Sequence, residues 1–157
     1  MPREPRLAAW LGVAALALGS LYAPNVGEAQ GDRVAPSVAV GETAAVADPS
    51  LAPALRSALS DELGELRGVR LTNRERARYV LRGAVTHLER APVRTGTRIS
   101  CEVSLVLAER RGGSVRLLLS GRAEAHGGLS DHLEEAVLRA AVRGALRPLG
   151  STLPRLR

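Results

Sequence analysis

The residues best suited to chemistry in this chain are one cysteine and three histidines. Cys101 and His87 occupy odd-numbered positions on two neighbouring predicted strands, where a thiol and an imidazole could form a nucleophilic pair. The sequence offers neither a third group to orient the imidazole nor an oxyanion site. A lone cysteine on the apolar face of a strand is more often a small buried hydrophobic residue. We therefore expect a buried thiol and keep a Cys101–His87 thiol-dependent enzyme as the alternative.

Other catalytic and metal-binding patterns are absent from the sequence. His126, His132 and Glu134 lie in one short stretch, but their spacing matches no metal-ligand motif. No phosphate-binding loop, dinucleotide fingerprint or nucleophile elbow occurs, and the glycine pairs 112–113 and 127–128 are expected in turns. The prediction is a protein that is not an enzyme, with no catalytic residue, no bound metal and no cofactor.

The charge of the chain is carried by arginine and favours anionic partners. All 22 basic residues are arginine, and the net charge at pH 7 is +6. Such a charge favours association with acidic proteins, anionic lipid headgroups or nucleic acid. Beyond the first 29 residues the only aromatic residue is Tyr79, so the stacking platforms that bind single-stranded nucleic acid are missing. A basic nucleic-acid-binding protein is therefore kept only as a further alternative.

The first 29 residues are typical of a secretory signal peptide. Arg3 and Arg6 precede the apolar run Leu7–Leu21, and a polar tail ends at Ala29, near which we expect cleavage. The apolar run is short for a bilayer span, so no transmembrane segment is expected in the mature chain. No cysteine follows the run to carry a lipid. The prediction is an exported protein, either periplasmic, outer-membrane-associated or secreted.

After a flexible lead-in over 30–36, residues 37–149 are expected to form a single α+β domain. Ser37–Gly41 is predicted as a short strand at a sheet edge, because Pro36 stands at its start. A helix beginning after Asp48 carries a leucine stripe, and Val69–Thr72 then forms a second strand parallel to the first. Residues 150–157 are predicted to be disordered, because Pro154 blocks a longer helix.

The centre of the domain is predicted to be a three-stranded meander. Apolar residues alternate with polar ones through the segments Tyr79–Leu88, Ile99–Glu109 and Val115–Ala125, as in strands with one buried face. A closing helix, capped by Ser130, is expected over Asp131–Leu149. The fold class is thus α+β, in the order β-α-β-β-β-β-α. Two helices pack on one face of a mainly antiparallel sheet of about five strands.

The alternation also predicts which residues face each other across the meander. The best apolar match pairs Val85 with Cys101 in the first hairpin. The matching register of the second hairpin pairs Leu105 with Leu119. Gly83 and Gly121 then flank one valine, and glycines within strands often mark the close approach of another backbone. We expect the small residues of 140–144 in the closing helix to make that approach over both glycines.

The other face of the meander is a candidate partner surface. Small and apolar residues there are rimmed by arginine, which is the composition of many protein interfaces. The partner is expected to be an envelope protein or an anionic glycolipid. The predicted partner-binding residues are Arg82, Glu102, Val106, Arg116, Leu118 and Arg122.

Residues 77–85, Ala-Arg-Tyr-Val-Leu-Arg-Gly-Ala-Val, resemble the "A-[DR]-Y-V-L-x-G-x-V" strand of small bacterial envelope domains. These include the LptE-like lipopolysaccharide-assembly proteins, the CsgG-like curli-secretion family and the amino-terminal domain of TolB-like proteins. The order of elements from Val34 to Leu149 is similar as well. The resemblance implies an α+β envelope domain with a non-catalytic function, and it assigns no functional residue. Many members are lipoproteins, and this chain differs from them in lacking a cysteine for lipid attachment.

Overall fold

The computed structural model describes residues 35–46, 48–128 and 130–156. Its five strands lie in the order β2-β1-β3-β4-β5 and span Ser37–Ala45 (β1), Arg70–Leu71 (β2), Tyr79–Val93 (β3), Gly96–Glu109 (β4) and Val115–Gly127 (β5). Two long helices, Leu51–Glu65 (α1) and Asp131–Leu146 (α2), accompany the sheet. The predicted α+β class and order of elements are confirmed. The predicted leader lies outside the described residues.

The placement of β1 differs from the prediction. It pairs in parallel with β2 at Ser37 and Val38, and in parallel with β3 along much of its length. β1 is therefore an inner strand of the sheet, and the prediction of an edge strand is wrong. Pro36 is compatible with this position because it precedes the first paired residue and so removes no N–H from the ladder. The parallel β1-α1-β2 unit itself is confirmed.

The start of each long helix is fixed locally. The Ser130 side chain accepts a hydrogen bond of 3.2 Å from the Leu133 N–H, so the predicted cap of α2 is confirmed. Before α1, the Asp48 carboxylate accepts bonds from the backbone N–H and the hydroxyl of Ser50, at 3.1 and 2.6 Å. These bonds shape the turn that leads into the helix, and they lower the pKa of Asp48.

Both long helices lie on the same face of the sheet, the inner face. α1 packs against β1 and β3, α2 packs against β4 and β5, and the helices also contact each other. The core between them consists of leucine, valine and alanine with one tyrosine, and its largest fully buried members include Leu55, Leu59, Leu63, Tyr79, Leu81, Ile99, Leu105, Leu107, Leu138 and Leu146. The only ion pair with a deeply buried member joins the helices. Among the described residues, Arg143 donates at 2.9 and 2.8 Å to Glu62, whose side chain is 7% exposed.

The register of the first hairpin differs from the prediction in two ways. Over residues 79–85 the partners lie two residues further along β4 than expected, and beyond that stretch β3 contains a bulge. Val85 pairs with Val103, but His87 pairs with Glu102 and Leu88 with Cys101, so Thr86 is the extra residue. The predicted pairing of Val85 with Cys101 is therefore wrong. Beyond the bulge the faces of β3 exchange, since one added residue reverses the alternation of side chains. The hairpin also extends further than predicted, to a turn at residues 94–95.

The register of the second hairpin agrees with the prediction. Leu105 pairs with Leu119, and Leu107 pairs with Leu117. Gly121 consequently lies opposite Val103, as expected. Gly83, in contrast, lies opposite Leu105, because the first hairpin is shifted. The two glycines therefore do not flank one valine.

Each glycine lies beneath a different helix. A side chain at Gly121 would collide with the backbone of α2 at Ala141 and Ala145, so the predicted close approach of the closing helix is confirmed there. At Gly83 the nearest atoms belong to Leu59 of α1 and Leu105 of β4, so the prediction that α2 also crosses this glycine is wrong.

The carboxyl-terminal segment is ordered, contrary to the prediction of a disordered tail. A short helix (α3, Leu149–Thr152) leads into a 3₁₀ turn (Leu153–Arg155). Leu149 and Leu153 are buried in the core. The Tyr79 hydroxyl donates a hydrogen bond of 3.2 Å to the Leu156 carbonyl, which ties this segment to the start of β3. Pro154 is tolerated because it stands at the start of the 3₁₀ turn, where no N–H is needed.

Candidate functional site

The candidate site is the outer face of the sheet, the side opposite the two long helices. In the part of the chain that the structure describes, no helix packs against this face. None of the described helices has the length and apolar character needed to span a bilayer. The outer face is therefore the broadest regular surface that the fold leaves open.

One cross-strand row on the outer face brings together three of the predicted residues. Arg82 of β3 pairs with Val106 of β4, and Val106 pairs with Leu118 of β5. Leu118 is 73% exposed, although leucine is among the residues most often buried. The row thus places an exposed apolar centre beside a guanidinium group.

A second row lies four residues away along β4. Glu102 pairs with Arg122 of β5, as the sequence predicts for one face. Within the described residues no ion pair joins them, and Arg82 and Arg122 have no carboxylate within ion-pair distance. Their guanidinium groups are therefore available to a partner.

Arg116 stands apart from the other predicted residues. The register of β4 and β5 shifts between Leu107 and Ala108, so Arg116 falls at the irregularity. Its guanidinium binds Glu109 at 2.6 and 3.1 Å, and Glu109 pairs with the buried Tyr79 of β3. The ion pair raises the pKa of Arg116. The binding role of Arg116 stays a prediction, and its guanidinium is already engaged within the domain.

A shallow cavity of about 250 Å³ adjoins the first row where β1 is irregular between Val40 and Thr43. It is lined by residues from three strands, among them Glu42, Ala44, Arg82, Ser104 and Val106. Glu42 and Ala44 were not predicted for the site, because β1 was expected to end at Gly41. The alternation that could have revealed them is broken by the irregularity itself.

The structure does not bring Cys101 and His87 together. The bulge at Thr86 places His87 opposite Glu102, with its side chain 52% exposed on the outer face. Cys101 is 1% exposed on the inner face, and burial, assisted by the charges of Glu134 and Glu102, raises the pKa of its thiol to about 11. A thiol of this kind is a weak nucleophile at neutral pH, and the hypothesis of a Cys101–His87 dyad is wrong.

The loose group of His126, His132 and Glu134 does not form a metal site. His126 lies 3.8 Å from Glu124, and Glu134 is bound by Arg90 at 2.6 and 2.9 Å. Over residues 35–46, 48–128 and 130–156 no set of three histidine, cysteine or carboxylate side chains could hold a metal ion.

Comparison with known proteins identifies similar folds. No protein-family model and no curated protein matches this chain. Among solved structures, the PelC dodecamer from Paraburkholderia phytofirmans is similar with a TM-score of 0.54 and 23% identity, over 71% of this chain and 86% of that one. Lipoprotein GNA1162 from Neisseria meningitidis has a TM-score of 0.51 and 14% identity, over 68% and 94%. A hypothetical protein from Chlamydia trachomatis has a TM-score of 0.51 and 12% identity, over 76% and 95%.

These similarities to solved structures show the fold of this chain. The α+β arrangement of this chain is found in bacterial proteins that include a lipoprotein and the subunit of a dodecamer. At such low identity the functional residues of those proteins do not carry over. The specific likeness to LptE-like, CsgG-like and TolB-like proteins stays a prediction.

Proposed function

We propose that this protein is an exported, non-catalytic component of the bacterial envelope that binds a partner protein through the outer face of its sheet. The observation that carries the proposal is Leu118, which is 73% exposed at the centre of an otherwise polar strand face. An exposed leucine in line with Val106 and Arg82 has the anatomy of an interface core with a polar rim. The two free arginines supply charge complementarity to an acidic partner surface.

Export is supported by two independent lines. The first 29 residues have the pattern of a signal peptide. A solved structure with a similar fold is a bacterial lipoprotein, GNA1162. The proposed location is the periplasm or the surface of the outer membrane.

A second copy of this chain is the alternative occupant. The solved PelC structure is a dodecamer. In the described part of this chain, β5 has β4 as its only neighbour, so one side of a strand of 13 residues offers backbone groups for pairing. A self-assembly that uses this edge would also bury Leu118, because the leucine lies on β5.

The test compares two variants with a charge placed at an exposed apolar residue. Leu118→Glu changes the proposed interface, whereas Val46→Glu changes a residue that is 78% exposed after β1 and outside both rows. Each exported protein is cross-linked in envelope fractions, purified, and its captured proteins are quantified by mass spectrometry. We expect a partner recovered with wild type and Val46→Glu and reduced at least about tenfold with Leu118→Glu, as for an interface hot spot.

The outcomes separate the proposed occupants. Loss of the chain's own oligomer in Leu118→Glu, measured by light scattering, assigns the face to self-assembly. Loss of binding to a purified anionic glycolipid with no change in captured proteins assigns it to a glycolipid. If wild type, Val46→Glu and Leu118→Glu all capture the same amount of partner, the proposal that the outer face binds it is contradicted.

A further inference from the structure

Arginines are concentrated at one end of the sheet, on two neighbouring loops. One loop runs from β2 to β3, and the other connects β4 to β5. Backbone hydrogen bonds hold them together, since the Arg110 N–H donates to the Arg78 carbonyl at 2.9 Å and the Arg78 N–H donates to Ser37 at 3.1 Å. We call this surface the basic end; it comprises Arg70, Arg74, Arg76, Arg78, Arg110 and Arg111.

The arginines of the basic end are exposed, and two of them are held in place. Arg110 donates from Nε to the Ala77 carbonyl at 2.9 Å. The guanidinium of Arg78 lies 5.1 Å from the ring centroid of Tyr79, within the range of a cation–π contact. Tyr79 is itself fully buried, so the ring gives Arg78 a fixed support. The charges therefore form a structured surface.

The basic end keeps an excess of positive charge. Among the described residues, none of its six arginines takes part in an ion pair. Two carboxylates are nearby: Glu75 lies between Arg74 and Arg76 in the same loop, and Glu109 is already bound by Arg116. Arg78, Arg110 and Arg111 border an open cavity of about 310 Å³. The surface is thus free to meet an anionic partner.

The first strand of the domain, β1, starts at the basic end. The Arg70 N–H donates to the Pro36 carbonyl at 3.0 Å, and β1 starts at Ser37 between Arg70 and Arg78. The first strand of the described chain therefore enters the sheet among the arginines of the basic end.

We propose that the basic end docks on an anionic phospholipid surface and orients the domain there. An arginine close to such a surface strengthens binding about fivefold, so several acting together give substantial attraction. The phosphate groups of the lipids suit guanidinium groups, which donate several hydrogen bonds at once. This orientation directs the strands away from the membrane and leaves the outer face accessible. The inference is independent of the partner proposed for that face.

The test measures binding of the exported protein to vesicles of phosphatidylcholine with and without phosphatidylglycerol, by sedimentation at low and high salt. Arg74→Gln/Arg111→Gln removes two charges from the basic end. The matched control, Arg94→Gln/Arg98→Gln, removes two charges near the β3–β4 turn at the opposite end. Arg98 makes only an exposed contact of 4.0 Å with Glu124, so its loss should not disturb the fold. Circular dichroism confirms that both variants are folded.

We expect wild type to bind the phosphatidylglycerol vesicles in a salt-sensitive manner. The basic-end variant should bind them at least about tenfold more weakly, and the control within about twofold of wild type. Leu118→Glu should bind vesicles normally, which separates this proposal from the preceding one. Equal losses in both double variants, or equal binding to the two kinds of vesicle, would overturn the proposal. Binding of a purified acidic protein or duplex DNA through these arginines without vesicle binding would overturn it as well.

Discussion

The two long helices contact the sheet over a glycine each, but the contacts differ in kind. Above Gly121 the backbone of α2 itself lies against the strand, and the space is closed by a carbonyl and an N–H of the helix. Above Gly83 the space is filled by the ends of Leu59 and Leu105 side chains. Backbone atoms of a helix cannot move without moving the whole helix, whereas a leucine can change its rotamer. The same residue type therefore marks a rigid contact in one place and an adaptable one in the other.

Gly121→Ala is the strongest way to break the α2 contact. The added methyl group would overlap Ala141 and Ala145, so the helix must move away from β5. We expect the free energy of unfolding to fall by about 3 kcal/mol, at the upper end for overpacked cores. Denaturant titration measures it, with Ser120→Ala on the outer face as the control. A loss below about 1 kcal/mol would show that α2 can shift freely.

Arg143→Ala breaks the buried ion pair between the two helices. It leaves the Glu62 carboxylate, 7% exposed, without the two bonds that it accepts. Because the guanidinium partner is itself 63% exposed, water reaches the site and limits the cost to about 2 kcal/mol. The control is Arg139→Ala, whose exposed pairs should contribute less than about 0.5 kcal/mol. The free energy of unfolding of both variants is measured by thermal or denaturant unfolding. If both variants lowered it equally, the buried Arg143–Glu62 pair would stabilise the fold no more than the exposed pairs of Arg139.

Gly83→Ala tests the adaptable contact and should have the smallest effect. The nearest atoms, Leu59 Cδ1 and Leu105 Cδ2, lie 2.9 and 3.0 Å from the new methyl group and can rotate away. Replacing glycine within a strand also reduces the entropy of the unfolded chain, which offsets part of the strain. The expected loss is below about 1 kcal/mol. If the unfolding free energy fell as far as in Gly121→Ala, the two contacts would be equally rigid.

The same contrast explains which parts of the fold the sequence could predict. In the second hairpin the alternation of Leu105, Leu107, Leu117 and Leu119 is unbroken, and both the register and the contact over Gly121 follow from it. In the first hairpin the predicted pairing is wrong by two residues before the bulge, since Val85 pairs with Val103. The bulge at Thr86 then displaces the pairings beyond it by one residue more. A signal was present, because Leu88 is an apolar residue at an even position on a strand whose core residues are odd.

The candidate surface was predictable to a similar extent. The alternation placed Arg82, Val106 and Leu118 on one face, and the pairing of Glu102 with Arg122 follows from the second hairpin. The pairing of Arg82 with Val106 differs from the predicted register by two residues, which leaves the face unchanged. Arg116 lies at an irregularity that no glycine or proline marks. The basic end depends on which loops meet in space. The two loops meet because β3 pairs with β4, with Tyr79 opposite Glu109. β2 joins them through β1, and local sequence patterns do not contain the inner position of β1.

The buried carboxyl-terminal segment has a consequence for the timing of folding. Leu149 and Leu153 complete the core, and the Leu156 carbonyl binds Tyr79 at the start of the meander. The ribosome must therefore synthesise nearly the whole chain before the native core can close. Together with the non-local parallel pairing of β1, this delays stable folding. On the proposed export route, such a delay keeps the polypeptide extended while it passes through the translocation channel. The domain then completes its folding after export.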